Sequence, residues 1–112
     1  MKSKTFGFVG ESIAANYLKQ KGYKILKTNY VNKLGEIDIV AKDGEAIVFV
    51  EVKTRTSNKF GYGREAVDAH KQNKIRLVAT SYLKSKKMLD SLCRFDVVEI
   101  VDDNIEHIEN AF

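Results

Sequence analysis

The hydrophobic positions of the chain recur with two periods, and these predict two helices and five strands. Spacings of three and four predict a helix over residues 5–21, capped by Thr5 and stopped by Gly22 in a left-handed conformation. The apolar stripe of this helix comprises Phe6, Val9, Ile13 and Tyr17. The same spacing predicts a second helix over residues 65–86. Its buried stripe comprises Val67, Ile75, Val78, Ala79 and Tyr82.

Five runs rich in β-branched and aromatic residues predict the strands. They cover residues 23–31, 36–42, 46–53, 94–101 and 105–109. Asp43 and Gly44 predict a tight hairpin between the second and third strands, and residues 56–63 predict a loop. The order α-β-β-β-α-β-β is typical of one α/β domain, here residues 1–112, with helices flanking a mixed central sheet.

The predicted hairpin brings charged residues of two strands together. If Asp43 and Gly44 form the loop, Asp38 lies opposite Phe49, and by the same register Glu36 faces Glu51. Side chains alternate along a strand, so each face can be assigned. One face carries Glu36, Asp38, Glu51 and Lys53, followed by Val40, Ile47 and Phe49. The other face carries Ile37, Ile39, Ala41, Ala46, Val48, Val50 and Val52.

Three carboxylates beside one lysine leave negative charge that a divalent cation would neutralise. Ligands that are all oxygen favour Mg²⁺ or Mn²⁺ over Zn²⁺. A metal held by one or two carboxylates next to a lysine suits phosphodiester hydrolysis. Ordinary charges on a solvent-facing hairpin explain the pattern equally well. Glu11 lies between Ala15 and Leu18 on an apolar arc of the first helix, where a carboxylate needs a partner, a cation or water.

The distribution of charge indicates a polyanionic partner. Residues 1–87 contain 18 Lys and Arg against 8 acids, a balance of +10, whereas residues 88–112 contain one Arg against seven acids, a balance of −6. A basic body favours nucleic-acid binding, although Lys-rich solvated helices give the same balance. The acidic strands over residues 94–109 are predicted to lie away from the charged site.

Composition is that of a folded domain, with 44% hydrophobic and 30% charged residues. No apolar run approaches the roughly 20 residues that cross a bilayer, and the N-terminus lacks the apolar segment of a signal peptide. We therefore expect a cytoplasmic protein without membrane contact. Cys93 is the single cysteine, so it has no partner for an internal disulfide and is expected in the core. His70 and His107 lack a ligand-like spacing.

Several segments together resemble the YraN-like family of small bacterial proteins. They are GE…AANYLKQKGYKIL, GEIDIVA, VFVEVKTR, FG.G.EAV….K and RFDVV, and they span about residues 7–101. That family is itself similar to archaeal Holliday-junction resolvases and to restriction-endonuclease-like, or PD-(D/E)XK, nucleases. The resemblance implies a restriction-endonuclease-like three-layer domain. It also implies an endonuclease, dependent on Mg²⁺ or Mn²⁺, that acts on branched or otherwise structured DNA.

By position, the resemblance assigns Asp38 to the signature aspartate, Glu51 to the second acid and Lys53 to the lysine of Glu-x-Lys. Glu11 resembles the helix-one glutamate that completes the metal site in resolvase-like members. Glu36 belongs to the GEID segment of the YraN-like set and is a candidate ligand. The proline of the nuclease signature is absent, because the chain contains no Pro.

Basic, aromatic and amide side chains that follow Lys53 are candidates for nucleic-acid contacts. They are Arg55, Lys59, Tyr62, Arg64, Lys71 and Gln72. Aromatics tucked under the sheet edge and a plain solvated helix face are the alternatives. A nucleic-acid-binding module without turnover and a protein-interaction domain also remain open. A homodimer is compatible with a substrate that has two equivalent strands.

Overall fold

The structure, a computed structural model, describes residues 2–55 and 67–112, with side chains described from residue 9 onward. Its elements are α1 (Lys2–Gln20), β1 (Lys24–Asn32), β2 (Gly35–Asp43), β3 (Ala46–Arg55), α2 (Ala69–Ser85), β4 (Cys93–Val101) and β5 (Asn104–Ile108). The predicted order α-β-β-β-α-β-β is confirmed over these residues, which form a mixed α/β fold with a five-stranded sheet and two helices.

The helix starts differ from the prediction. Thr5 lies inside α1 rather than at its N-cap, because residues 2–4 contain no glycine or proline to stop the helix. The second helix begins at Ala69, later than predicted, because Asp68 is extended and caps it, so Val67 precedes the helix. The predicted loop over residues 56–63, Glu65 and the side chain of Phe6 lie outside the described residues. Neither described helix is long and apolar enough to span a bilayer.

The five strands form one mixed sheet in the order β1-β2-β3-β4-β5. β3 and β4 are parallel, and the other neighbouring strands are antiparallel. A parallel pair needs a long crossover, and α2 lies within that connection. Asp68 caps α2, because its side chain accepts a hydrogen bond from the Lys71 N–H at 2.9 Å. In the strand order given above, β3 is the central strand of the sheet.

Two apolar cores separate three layers. The core shared with α2 contains Ile37, Val40, Ile47, Phe49, Val67, Ile75, Val78, Ala79 and Tyr82. The core on the opposite face, shared with α1, contains Ala14, Ala15, Leu18, Ile39, Ala41, Val48, Val50 and Val98. Full burial of each such aliphatic side chain contributes about 1.5–3 kcal/mol. The predicted stripe of the second helix is confirmed as buried.

The buried side of α1 differs from the predicted stripe. Val9 and Ile13 are 53% and 40% exposed, whereas Leu18 is fully buried. Small side chains face the sheet because the helix packs close to it. Gly10 lies so near Thr54 that a Cβ at position 10 would overlap the methyl group of the threonine.

The β2–β3 hairpin is confirmed, but its register is shifted by two residues. Asp43 pairs with Ala46, so Gly44 and Glu45 form the loop, with Gly44 at φ = 61°. Because the shift is even, Phe49 and its predicted neighbours keep their face.

The shift changes which charged residues are neighbours. The prediction that Asp38 faces Phe49 is wrong, since Phe49 pairs with Val40. The last backbone pair is Ile39–Val50, and the next positions along the two strands are Asp38 on β2 and Glu51 on β3. Glu51 therefore lies level with Asp38, and the predicted pairing of Glu36 with Glu51 is wrong as well.

Strand β4 does not lie away from the charged hairpin. It pairs with β3 in parallel, and Glu99 is the partner of Lys53. Cys93 is exposed at the first position of β4, so its predicted place in the core is also wrong. The parallel pairing, which local sequence patterns do not specify, brings this acidic strand against the basic end of β3.

A buried ion cluster joins β4 to the C-terminal segment. Fully buried Asp96 lies 2.9 Å from Arg94 Nε and 2.7 Å from His107 Nε2, and it accepts from the Asn110 N–H at 3.1 Å. Burial alone raises the pKa of Asp96, but hydrogen bonds from His107, Arg94 and Asn110 bring that pKa below its usual value. Asp96 is thus paired within β4, β5 and the C-terminal segment, and it is not part of the charged end of the β2–β3 hairpin.

A carboxylate–lysine cluster as the candidate functional site

Asp38 lies where the backbone ladder between β2 and β3 ends. Beyond the Ile39–Val50 pair, the Val52 N–H donates to Asp38 Oδ2 at 2.8 Å. The carboxylate therefore points along the sheet toward β3, and the alternation of side chains breaks at this position. Ile37, predicted on the same face as Ile39, consequently lies in the opposite core.

The pKa of Asp38 is raised to about 8. Burial is the largest cause, followed by the charge of Glu51, and the charge of Glu11 adds to both. The Val52 N–H acts in the opposite direction and is outweighed. A direct side-chain interaction with Glu51 raises the pKa of Asp38 further. This end of the hairpin is therefore short of positive charge.

Helix α1 adds a third carboxylate to the same cluster. Burial raises the pKa of Glu11, and the charges of Glu36 and Glu51 raise it further, against a hydrogen bond with Asp38 that lowers it. Glu36 is exposed and acts on Glu11 through its charge. The structure thus brings Glu11, Asp38 and Glu51 together, with Glu36 at the rim.

Two lysines from different elements contact one oxygen of Glu51. Lys53 Nζ lies 3.3 Å from Oε2, and Lys71 Nζ from the first turn of α2 lies 2.5 Å from it. Burial lowers the pKa of Lys53, and the adjacent Lys71 lowers it further, although Glu51 opposes both. Burial alone would lower the pKa of Lys71, but its hydrogen bond to Glu51 raises it. The pKa of Lys53 therefore lies below that of Lys71.

The carboxylates of the cluster are the donor type that a hard metal ion requires. Within the described ranges, no three His, Cys, Asp or Glu side chains form a ready-made ligand set. Asp38 and Glu51 nevertheless offer two adjacent carboxylates, with Glu11 beside the first. Mg²⁺ is commonly held by one or two carboxylates and keeps several of its waters. The cluster therefore fits a hard cation such as Mg²⁺ or Mn²⁺ better than Zn²⁺.

The residues predicted to contact nucleic acid have different positions. Arg55 ends β3, and its Nε lies 3.4 Å from Glu99 Oε2. Gln72 donates its side-chain amide to the Val67 carbonyl at 2.8 Å. Lys71 is part of the cluster itself. The other three candidates, Lys59, Tyr62 and Arg64, lie outside the described residues.

Glu99 is a further charged residue beside the cluster, and the sequence pattern did not single it out. It is 1% exposed and lies next to Lys53 across the β3–β4 ladder. Neither carboxylate oxygen has a hydrogen-bond donor among the described residues, so Arg55 supplies its compensating charge there. The sequence does contain a signal for Glu99, namely an acidic residue within the β-branched run VVEIV. Glu51 has the same kind of position within VFVEVK.

Fold and cluster together define a small mixed α/β protein with a charged centre at one end of its sheet. The family model "Uncharacterised protein family UPF0102" matches residues 10–100, and the chain belongs to this family. The UPF0102 protein of Thermodesulfovibrio yellowstonii is 50% identical over 106 residues, which cover 95% of this chain and 94% of that protein.

Two other relatives show the same full-length similarity. The UPF0102 protein of Caldanaerobacter subterraneus subsp. tengcongensis is 49% identical over 119 residues, covering 100% of this chain and 98% of that protein. The UPF0102 protein of Pelotomaculum thermopropionicum is 44% identical over 115 residues, covering 97% and 96%. The predicted membership of the YraN-like family is thereby confirmed.

Proposed function

We propose that the chain is an endonuclease, dependent on Mg²⁺ or Mn²⁺, that hydrolyses phosphodiester bonds of branched or otherwise structured DNA. The observation that carries this proposal is the contact group of Asp38, Glu51 and Lys53 at the end of the β2–β3 ladder. Glu11 from α1 lies against the same group. Clustered carboxylates beside an ammonium supply the donor types that metal-assisted phosphoryl transfer uses. The restriction-endonuclease-like assignment of the fold belongs to the same proposal.

Asp38 and Glu51 would hold the metal ion, with Glu11 beside them and Glu36 at the rim. A divalent cation bound there would supply Lewis-acid polarisation of a phosphoryl oxygen and a water molecule of lowered pKa. The partly buried position supports this assignment, because charge interactions strengthen away from bulk water.

The basic residues around the carboxylates have separate proposed roles. Lys53 offers an ammonium that can stabilise charge developing on a phosphate, and its lowered pKa suits it to transfer a proton. Lys71 lies in the first turn of α2, where the helix dipole also favours an anion. Arg55 presents a planar guanidinium, which matches the oxygens of a second phosphate.

The proposed partner is DNA, which the basic balance of residues 1–87 would attract. A homodimer would present two sites to the two equivalent strands of a branched substrate. We further propose a cytoplasmic location, in which chromosomal DNA is accessible.

A second candidate function is nucleic-acid binding without turnover. It is favoured by one specific observation, namely that Lys53 and Lys71 already neutralise Glu51 through direct contacts. Two lysines gathered at one carboxylate can bind phosphate without a metal ion. Both functions predict DNA binding that weakens as salt concentration rises, so binding alone does not distinguish them.

Cleavage of end-labelled four-way junctions, flaps and plain duplexes of matched sequence tests the proposal. The wild type and Lys53→Ala are compared in Mg²⁺, Mn²⁺ and EDTA, with Lys84→Ala on the exposed end of α2 as the matched control. We expect metal-dependent cleavage that Lys53→Ala reduces at least a hundredfold and Lys84→Ala leaves unchanged. Binding of all three DNAs without cleavage in either metal would replace the nuclease by the second candidate.

A further inference from the structure

A groove runs from the carboxylate cluster along α1, and the function proposed above assigns it no role. It is open to solvent, has a volume of about 520 Å³ and lies between α1 and β1. Glu11 of the cluster lines one end of it. The other lining residues are Ser12, Ala15, Asn16, Lys19, Thr28 and Asn29. The groove is therefore continuous with the proposed metal site.

The lining chemistry suits a sugar–phosphate chain. Ser12, Asn16, Thr28 and Asn29 offer neutral hydrogen-bonding side chains, and Lys19 is the one cation among the residues that line the groove. Glu11 and Lys19 are eight residues apart on the same helix, which corresponds to about 12 Å along its axis. Neutral donors and a single cation spaced in this way match hydroxyls and phosphates along a strand better than they match an apolar ligand.

Asn29 connects the groove to Asp38 through the sheet. It lies in β1 between the Thr28–Ile39 and Tyr30–Ile37 pairs, so its neighbour on β2 is Asp38. Its backbone is left-handed, with φ = 52°, a conformation that asparagine adopts more readily than most residues. The two adjacent strands therefore depart from regular geometry at the same level, and both departures lie where the groove meets the cluster.

The size of the groove limits what can enter it. A volume of about 520 Å³ lies within the range of roughly 300–1,000 Å³ that holds one small organic molecule. This is room for a nucleotide or two of one strand. A DNA duplex is too large to enter this groove, because its major groove alone is about 12 Å wide.

We infer that this groove binds an unpaired nucleic-acid strand next to the phosphodiester bond that is cleaved. The preferred substrates are then DNAs with a single-stranded arm, such as flaps and splayed ends, rather than fully paired DNA. This inference rests on the proposed function and assigns binding roles to Asn16, Lys19 and Asn29.

Affinity measured without metal separates the inference from cleavage. Fluorescence anisotropy in EDTA compares a duplex carrying a ten-nucleotide flap with a nicked duplex of the same sequence. The variants are Asn16→Ala, Lys19→Ala and Asn29→Gly, in which glycine keeps the left-handed backbone, and Lys84→Ala is the control. We expect each groove variant to weaken flap binding about tenfold and to leave nicked-duplex binding unchanged. Thermal unfolding of every variant verifies that each is folded.

Crosslinking supplies a second readout that does not depend on substitutions. A flap that carries 4-thiothymidine beside the junction is expected to crosslink to the peptide containing Thr28 and Asn29. Equal affinity for both DNAs, no effect of the groove variants and crosslinks elsewhere would overturn the inference, even if metal-dependent cleavage is found. Flap-specific binding that needs the groove residues, without cleavage in any metal, would support the groove and refute the proposed nuclease.

Discussion

Replacing Asp38 by Asn is expected to stabilise the metal-free protein, and the gain should grow as the pH rises. Asparagine resembles the protonated aspartic acid: its oxygen can accept from the Val52 N–H, and its NH₂ can donate to the adjacent Glu51 carboxylate. The substitution therefore keeps both contacts and removes the charge that the folded protein disfavours.

The magnitude follows from the pKa of Asp38, which is about 8 in the folded protein against an ordinary value of 3.8. The folded state binds more protons than the unfolded state between these values, so the stability of the wild type falls as pH rises through this window. One pKa unit corresponds to about 1.4 kcal/mol, so the limit at pH 7 is about 4 kcal/mol. The neighbouring side chains of Glu11 and Glu51 can rearrange once the charge of Asp38 is removed. We therefore expect the free energy of unfolding to increase by about 2–4 kcal/mol at pH 7.

Urea unfolding in EDTA at pH 5 and pH 8 measures this effect for the wild type and for Asp38→Asn. Asp103→Asn, in the exposed turn before β5, is the matched control and should change little at either pH. The free energy of unfolding gained by Asp38→Asn should be larger at pH 8 than at pH 5. A variant that is less stable than the wild type, or a difference that does not depend on pH, would refute the charge-repulsion reasoning.

Three further predictions concern packing and ion pairs, each measured by chemical denaturation. Asp96→Asn should cost about 3–5 kcal/mol because it leaves the Arg94 guanidinium and the buried His107 ring without their acid. In the wild type, the pKa of Asp96 is lowered, so the stability that its carboxylate contributes is lost as the pH falls below 3.8, the ordinary pKa of aspartic acid. The Asp96→Asn variant should lack this pH dependence. Arg55→Ala should cost about 3 kcal/mol by leaving buried Glu99 uncompensated, and adding Glu99→Gln should recover part of the loss; no recovery would contradict the pairing. Gly10→Ala should cost about 1–3 kcal/mol through overlap with Thr54, and Thr54→Ser, which removes the methyl group, should relieve it; equal costs in both backgrounds would show that the overlap is not the cause.

The order of helices and strands could be predicted because it depends on local signals. The stop at Gly22 has a positive φ of 97°, and the Tyr23 N–H closes the turn onto the Leu18 carbonyl at 3.0 Å. The hairpin at Gly44 likewise needs a conformation that glycine adopts without strain. Such signals lie within a few residues of the feature that they specify.

The exact register of the hairpin could not be predicted from the same local signals. The dipeptide Asp43-Gly44 indicates a tight turn, but it does not decide whether Asp43 belongs to the loop or to the strand. In the structure Asp43 pairs with Ala46 and accepts a hydrogen bond from Arg94 at 3.1 Å, a partner 51 residues away. A contact between distant elements therefore accompanies the register that the protein adopts.

Tertiary contacts also explain the parts of the candidate site that the sequence did not reveal. Lys71 was a predicted phosphate ligand on a helix, but its contact with Glu51 depends on the crossover that places α2 over the sheet. Glu99 became part of the site through the parallel pairing of β4 with β3. Val9 and Ile13 have helical spacing, yet the close approach of α1 at Gly10 selects a different face for burial.

The most direct test of the central claim measures DNA binding and single-turnover cleavage for the same variant under the same conditions. For Asp38→Asn, binding of a flap or junction in EDTA should remain within about threefold of the wild type, because phosphate contacts are made by the lysines. Its cleavage rate in Mg²⁺ should fall at least a hundredfold. Wild-type rates in Asp38→Asn would show that this carboxylate has no part in catalysis, and the proposed metal centre would be wrong.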